Sequence, residues 1–333
     1  MIGTTTGTEV IETLMDEILQ DDINYMALQK KLLDFKTFLL ETTNLDLNDL
    51  EDRKDLEFDN GIALSTTFAA LCIQDVMRTR QFVKGIYQAI QDVQEKKSEP
   101  VHLFYAGTGP FATLILPILT KILAQDLRLH LMDVNEKTLD YLDKVLNAVD
   151  IQDYVEKIIC GDATQYQIEN LEGIDILVSE TMQHGLVKEQ QVPIMMNLVS
   201  QLDKDTVVIP NNIQLNLALK SSSANFIMDW KNDLMYKQLT HLWDFTPEFI
   251  HASSPNQKTF ELCQDIDFSN HEETYDKLVV LTNIQVYEDV WIKRDESSLT
   301  VPKIILDLNE QKQRKVSLSY VIKKQPDFEL ELE

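Results

Sequence analysis

Residues suited to an adenosine-type ligand follow three neighbouring β-rich runs of this 333-residue chain. After VHLFYA, the glycine turn at residues 107–109 and a following helix N-terminus would bring backbone N–H groups close to a ligand. LRLHLM ends in Asp133, where an acid can accept both ribose hydroxyls, and VEKIIC leads into Asp162, a possible acceptor for an adenine amino group. Ligands of open α/β sheets lie over the carboxyl ends of strands, so one site is expected. The residues predicted to contact the ligand are Gly107, Thr108, Gly109, Asp133, Asp162 and Ala163.

Each of these signals also has a structural interpretation. The glycines can form a plain tight turn, and Asp133 can be a turn residue before a helix predicted at 135–146. Because three signals fall at the ends of three successive strands, their agreement favours a ligand site.

The fourth β-rich run, IDILVS, leads into a loop with two glutamates nine residues apart. Residues 179–189 read SETMQHGLVKE, and Glu180 and Glu189 in Ser-Glu-x-Met-x-x-x-Leu-x-x-Glu resemble the double-glutamate loop of the protein arginine methyltransferases, a family of class I methyltransferases. Further upstream, DVMRT at residues 75–79 is similar to the Asp-x-x-Arg-Thr segment of that family. The resemblance spans roughly residues 60 to 320.

The resemblance implies S-adenosylmethionine as cofactor and S-adenosylhomocysteine as product. It implies that Arg78 pairs with the carboxylate of the methyl donor and that Glu180 lies between donor and acceptor. Met182 is expected to form a pocket wall, and His184 either a wall or a proton acceptor. Structural alternatives are a capping role for Glu180, a solvated helix position for Glu189 and an i, i+3 pair of Arg78 with Asp75.

Two carboxylates suit a guanidinium group. Arginine presents five N–H donors in a planar fork, so Glu180 and Glu189 can hold both edges and aim one nitrogen at the sulfonium methyl. Methyl transfer is a direct displacement, for which orientation supplies much of the catalysis and no metal is required. Repulsion between the two carboxylates should raise the pKa of one of them in the empty site.

The sequence departs from the family at three places. Leu103 and Tyr105 replace an acid and the first glycine before the glycine turn, and the lid tyrosines have no counterpart at residues 59–63. Thr300-Val301-Pro302 stands where the family has Thr-His-Trp, so we expect a remodelled acceptor pocket, enclosed enough to suit free arginine.

Hydrophobic periodicity predicts the elements that position these residues. Helices are expected at 9–20, 25–40 and 62–93, followed by β-rich runs that alternate with helical segments. The fold class is α/β: a Rossmann-like parallel sheet at 98–210, after an N-terminal helical region and lid at 1–97. The segment after the glycine turn and a segment beginning near Val187 are expected to be helices.

A β-rich, barrel-like domain is predicted at 211–333, because IQLNLALK, LVVLTNIQVY, VSLSYVI and FELEL read as strands. The family forms homodimers through an arm on this domain, and the aromatic stretch 226–249 is the candidate for that arm or for a swapped element. His241 and Trp243 within it are interpreted as packing or interface residues.

Composition limits the possible partners. With 30 Lys+Arg against 55 Asp+Glu the formal net charge is -25, which disfavours nucleic acid and anionic membranes and favours a cationic small molecule or peptide. Three distant cysteines fit a reducing cytoplasm, and no signal peptide or membrane span is predicted.

Three functions stay open on the sequence alone. The leading one is methylation of a guanidine group in free arginine, an arginine-like metabolite or a peptide. The second keeps the cofactor but changes the acceptor to another nitrogen or oxygen. The third is a non-catalytic module that binds a basic partner.

Overall fold

The computed structural model describes residues 7–169, 173–222, 235–269, 274–309 and 315–333. Two N-terminal helices, α1 (Gly7–Ile18) and α2 (Tyr25–Thr43), match the first two predicted helices. Apolar side chains at helical spacing, such as Leu14 and Ile18 of α1, are fully buried. Asn24 caps α2 by accepting a hydrogen bond from the Ala27 backbone N–H at 3.1 Å.

The long helix predicted at 62–93 is wrong in its first third. That part instead contains β2 (Gly61–Ala63), which pairs with the preceding β1 (Leu56–Phe58) in a hairpin, and then the short helix α3 (Thr66–Leu71). The remainder is α4 (Val76–Gln94). Asp75 separates α3 from α4, because its backbone is extended and its side chain accepts from the Arg78 N–H at 3.1 Å. Such an N-cap starts a new helix rather than continuing an old one.

A five-stranded parallel sheet forms the middle of the molecule, as predicted. Its strands are β3 (Val101–Ala106), β4 (Leu127–Asp133), β5 (Val155–Cys160), β6 (Ile176–Ser179) and β7 (Val207–Ile209). They lie in the order β5-β4-β3-β6-β7, and the order reverses between β3 and β6. Helices α4, α5 (Glu136–Ala148) and α6 (Gln191–Val199) pack against the sheet. Its ligand crevice is therefore expected at the carboxyl ends of β3 and β6.

The segment after the glycine turn is not the predicted helix. Residues 107–126, all described, contain only short 3-10 turns, including Gly109–Phe111 and Ile118–Thr120. Pro110 and Pro117 cannot donate backbone hydrogen bonds, and Ala112 has a left-handed backbone with φ 44°. Each of these features interrupts a regular α-helix.

Antiparallel sheets make up the C-terminal part. Their strands are β8 (Asn212–Lys220), β9 (Tyr236–Phe245), β10 (Thr259–Asp267), β11 (Lys277–Tyr287), β12 (Val290–Ile292), β13 (Lys303–Asp307), β14 (Lys315–Val321) and β15 (Asp327–Leu332). The larger sheet has the order β12-β11-β8-β9 with β13 beside β11, and the smaller one the order β10-β14-β15. With the parallel sheet and the helices, this architecture confirms the predicted fold class.

The described part of the proposed dimerisation arm packs within its own chain. Residues 223–234, which include Phe226 and Trp230, lie outside the described residues. Trp243 on β9 is 5% exposed, and its ring lies 5.0 Å from Phe260 and 5.5 Å from Tyr320, centroid to centroid. Residues 236–245 are therefore an edge strand of the larger antiparallel sheet, and the burial of Trp243 agrees with its packing interpretation. No helix in the described ranges combines the length and the apolar character needed to cross a bilayer.

Candidate active site

One cavity lies over the carboxyl ends of the parallel strands. All the residues predicted to contact the cofactor line it, namely Arg78, Gly107, Thr108, Gly109, Asp133, Asp162, Ala163 and Glu180. Glu189 lines it as well. The fold thus brings together residues from four strand ends, one helix and one loop, and their roles there stay predictions.

The glycine turn closes tightly onto the neighbouring strand. The backbone N–H groups of Gly107 and Thr108 both donate to the Met132 carbonyl, at 2.8 and 3.1 Å. Gly107 has a φ of 81°, and a Cβ atom there would lie 2.3 Å from Cγ2 of Thr181. Only glycine fits this turn without a shift of its neighbours. Thr108 is 4% exposed, and its Oγ1 is buried without a hydrogen-bond partner among the described residues.

Asp133 braces the glycine turn from the end of β4. Its Oδ2 accepts from the Gly109 N–H at 3.0 Å, and its Oδ1 accepts from the Asn135 N–H at 3.0 Å. Burial raises the pKa of this carboxyl, and these backbone hydrogen bonds oppose the rise. The sequence identified Asp133 as a residue of the site. Its hydrogen bond with Gly109 depends on the fold of the glycine turn and was not predicted.

Asp162 is held by its own turn at the end of β5. Its Oδ1 accepts from the N–H and the hydroxyl of Thr164 at 2.8 and 2.7 Å, and its Oδ2 from Gln165 Nε2 at 3.2 Å. The predicted contact with adenine would have to share these acceptors.

Glu180 lies directly after β6 and pairs with Arg78 from the first turn of α4. Arg78 donates to the single oxygen Oε2, from Nε at 2.9 Å and also from Nη2. Glu180 is 8% exposed, and its Oε1 is buried without a partner in the described ranges. The predicted surface pair of Arg78 with the Asp75 side chain is not formed. Asp75 instead accepts from Ser297 Oγ and from the N–H and Oγ of Ser298, each at 2.7 Å.

Glu189 reaches the same cavity from the far end of the loop. It is 5% exposed, and its Oε1 is likewise buried and unpaired within the described part of the chain. The helix expected to begin near Val187 begins only at Gln191, because Gly185, Leu186 and Lys188 have left-handed backbones with φ of 67°, 59° and 67°. Left-handed non-glycine residues are uncommon and carry strain that the surroundings must hold.

Contacts from the C-terminal β sheets and from the N-terminal hairpin hold this strained loop. The Gly185 N–H donates to Thr282 Oγ1 of β11 at 3.1 Å, and the Tyr320 hydroxyl of β14 donates to the Leu186 carbonyl at 2.6 Å. The Ile62 N–H of the hairpin donates to the Lys188 carbonyl at 2.9 Å. The position of Glu189 therefore depends on the β domain and on the N-terminal hairpin together.

Burial favours the protonated form of both glutamates. Desolvation raises the pKa of Glu180 to about 7 although Arg78 opposes it, and desolvation with the charge of Glu180 raises the pKa of Glu189 to about 8. Desolvation is thus the main cause of the raised pKa in both groups, and the predicted repulsion between the two carboxylates contributes to the rise only at Glu189. A cationic ligand between them would favour their ionised forms.

A solvent-exposed groove adjoins the cavity at Arg78 and Glu189, which line both. Met182 and His184 line this groove and not the cofactor cavity. Desolvation and the charges of Lys303 and Lys188 lower the pKa of His184, which favours the neutral imidazole. Met182 and His184 thus lie on the groove side of the site, apart from the residues predicted to contact the cofactor.

Sequence reasoning missed several residues of the cavity wall. Ile62 and Leu64 line both cavity and groove, yet they were assigned to a helix because no turn signal other than Asn60-Gly61 marks the hairpin. Cys72 lines both as well, and burial raises the pKa of its thiol. Tyr105, noted only as a departure, is 3% exposed and lines the cavity beside the glycine turn.

The cavity fits S-adenosylmethionine on the evidence of its unpaired acceptors. Buried oxygens of Thr108, Glu180 and Glu189 have no hydrogen-bond partner among the described residues, and all three residues line the cavity. Buried acceptors are normally satisfied, so donors from a ligand are expected there. The hydroxyl and amino groups of an adenosyl amino acid and of its acceptor are such donors.

Comparison with solved structures identifies the fold. PRMT6 matches with a TM-score of 0.58 and 12% sequence identity, over 79% of this chain and 97% of that one. Protein arginine methyltransferase 10 of Arabidopsis thaliana, solved in an open conformation, matches with a TM-score of 0.51 and 14% identity, over 75% and 86%. Neither a family model nor a curated protein matches the sequence. The chain therefore has the fold of the protein arginine methyltransferases, at a sequence distance where likeness shows the fold alone.

Proposed function

We propose that this protein is an S-adenosylmethionine-dependent N-methyltransferase that acts on a guanidine group. The observation that carries the proposal is the pair Glu180 and Glu189, two buried carboxyls that line the same cavity and each have one oxygen without a hydrogen-bond partner among the described residues; Glu189 also lines the groove. A buried carboxylate without a partner is costly, and a planar cation with several N–H donors would satisfy both at once.

In this proposal, different residues bind the cofactor and the acceptor. Arg78 would hold the carboxylate of the methyl donor, and Thr108, Asp133 and Asp162 would accept from its adenosine part. When bound, S-adenosylmethionine supplies an electrophilic methyl group on a sulfonium. Glu180 and Glu189 align one guanidine nitrogen with that methyl, and a glutamate takes the proton that the nitrogen releases.

The groove favours an arginine within a polypeptide over free arginine. Exposed side chains of Tyr25, Phe68 and Val301 line it, so it opens to solvent rather than enclosing a small molecule. The expectation of an enclosed acceptor pocket is therefore not supported. The carboxylate of free arginine would also meet the acidic side chains Asp55, Asp295 and Glu296.

Labelled methyl transfer tests the proposal. The protein would be incubated with methyl-labelled S-adenosylmethionine and with free arginine, arginine peptides and matched lysine and histidine peptides, and mass spectrometry would locate the label. Label on a guanidinium, absent from Glu180→Gln, is the expected result. Label on lysine, histidine or an oxygen instead would replace the guanidine acceptor by another one, and absence of S-adenosylhomocysteine binding would contradict the whole proposal.

Three finer features remain proposals from the sequence. They are a homodimer, a cytoplasmic location and a cationic partner for the chain of net charge -25. Sedimentation at micromolar protein concentration tests the first of them, and a monomeric mass would contradict it.

A further inference from the structure

Three exposed apolar side chains line the mouth of the acceptor groove. Tyr25 is 50% exposed, Phe68 43% and Val301 47%, and they come from α2, α3 and the segment before β13. We call these three residues the apolar rim. Ile23 and Met26, beside Tyr25 in the chain, are 45% and 75% exposed.

This concentration differs from the scatter expected of surface apolar residues. Single exposed hydrophobic side chains are normal, but neighbouring ones rimmed by polar groups mark binding surfaces. Around the apolar rim, the same groove is lined by the exposed acids Asp55, Asp295 and Glu296. Among the described residues, five acidic side chains line the groove against two basic ones, Arg78 and Lys188. The groove therefore combines apolar contact area with an excess of negative charge and reaches the buried Glu189.

A cationic polypeptide segment would complement both the apolar and the acidic side chains of this groove. Its arginine would reach Glu180 and Glu189, its positive charge would complement the acids, and an apolar neighbour would cover part of the rim. A segment of arginine and glycine alone would leave the rim exposed to water. Free arginine would leave it exposed too.

On the basis of the proposed function, we infer that the acceptor is a basic polypeptide segment with a large apolar side chain flanking the methylated arginine, and that the apolar rim binds this side chain. Tyr25 gives the N-terminal helical region a role in selecting the acceptor. This region lies largely outside the stretch that resembles the methyltransferase family, so the preference is a property of this chain's own residues.

Paired peptides test the inference. One peptide carries leucine on both sides of a single arginine and the other carries glycine there, with equal charge and length. The leucine peptide is expected to have about a tenfold lower KM, because part of a large apolar side chain leaves water when it binds the rim. Fluorescence anisotropy of labelled peptides on protein saturated with S-adenosylhomocysteine gives the same ratio without turnover.

Variants assign the preference to the rim. Tyr25→Ser, Phe68→Ser and Val301→Ser are each expected to reduce the leucine-to-glycine ratio towards one. Leu123→Ser is the matched control, because Leu123 is 64% exposed and does not line the groove. Unchanged binding of S-adenosylhomocysteine shows that each variant is folded.

The outcomes separate this inference from the proposed function. Equal KM values for the two peptides, or a ratio that the rim variants leave intact, would overturn the inference while arginine methylation stands. If neither peptide is methylated although S-adenosylhomocysteine binds, the proposed function fails and the inference fails with it. Loss of a dimer in the rim variants, with the peptide ratio unchanged, would assign the rim to a second copy of the chain.

Discussion

Arg78 holds Glu180 by one oxygen only. Both of its donating nitrogens point to Oε2, and Oε1 is buried without a partner among the described residues. The ion pair therefore fixes the orientation of the carboxylate and still leaves one oxygen for a ligand. Arg78 also lines both the cavity over the strand ends and the neighbouring groove.

Replacement of Glu180 by glutamine should reduce kcat on an arginine peptide by about 100-fold to 1,000-fold, the size of losing one preorganised electrostatic contact. The amide keeps the shape but removes the charge that localises the guanidinium. Single-turnover methyl transfer measures the change. The control is Glu57→Gln on the exposed hairpin, which should retain activity.

Loss of folding would imitate this effect, because breaking a buried ion pair can cost about 3–5 kcal/mol. Thermal unfolding and S-adenosylhomocysteine binding of Glu180→Gln distinguish the two causes. A folded Glu180→Gln protein with full activity would contradict the assigned role of Glu180.

The Arg78→Lys substitution should raise the Kd for S-adenosylhomocysteine by about tenfold or more. Lysine is a point charge without the planar fork, so it cannot hold Glu180 and a second carboxylate with the same geometry. Calorimetric titration measures the affinity. An unchanged Kd would show that Arg78 only orients Glu180 and does not contact the cofactor.

Stability of the ligand-free protein should fall as pH rises from about 5 to about 8. Burial raises the pKa of Glu180 to about 7 and of Glu189 to about 8, above the ordinary value near 4.3 in the unfolded chain. Because the folded state holds these protons more tightly, their contribution is fully present below the unfolded pKa. It is lost as pH rises through the folded values.

Urea unfolding at pH 5, 6, 7 and 8 checks this dependence. Glu189→Gln should flatten the upper part of the curve, whereas Glu57→Gln should leave its slope unchanged. Affinity for an arginine peptide should show the opposite trend and increase towards pH 8, since the guanidinium requires ionised partners. Parallel curves for wild type and Glu189→Gln would contradict the assignment.

Gly107→Ala should destabilise the protein by about 1–3 kcal/mol and weaken S-adenosylhomocysteine binding. The added Cβ would lie 2.3 Å from Cγ2 of Thr181, at a φ of 81° that alanine rarely adopts. Gly173→Ala is the matched control, because, apart from its chain neighbours, no atom of the described residues lies within 4 Å of its added Cβ. Thermal unfolding compares the two variants.

The double variant Gly107→Ala with Thr181→Ser separates crowding from backbone strain. Serine lacks the methyl group that the new Cβ would meet, so part of the lost stability should return. If none returns, the left-handed backbone of residue 107 is the main cause.

The strand ends were predictable because local residue types mark them. Continuous apolar runs such as VHLFYA are typical of the buried strands of parallel sheets, and Asp133 and Glu180 follow such runs directly. Their convergence in one cavity then follows from the sheet topology. The sequence also predicted a raised pKa for one carboxyl from the spacing of the two glutamates, but burial, the larger cause, depends on the fold.

Other features depend on contacts between distant parts of the chain. The hairpin at residues 56–63 was predicted in part as helix, since its Ile62 is fixed by Lys188, which lies 126 positions later in the numbering. Long-range contacts also explain why α6 begins later than predicted, because residues of β11 and β14 hold the strained loop before it. Local propensity does not contain such long-range contacts.

The short turns after β3 also affect which nucleotide ligands suit the cavity. A helix that begins at a glycine turn offers its positive dipole end to phosphate groups, and residues 107–126, all described, contain no α-helix. A dinucleotide would bring two negative charges into a cavity that already holds the buried carboxyls of Asp133, Glu180 and Glu189. A sulfonium nucleoside has no phosphate and carries a positive charge, so we expect this cavity to bind it in preference to a phosphorylated nucleotide.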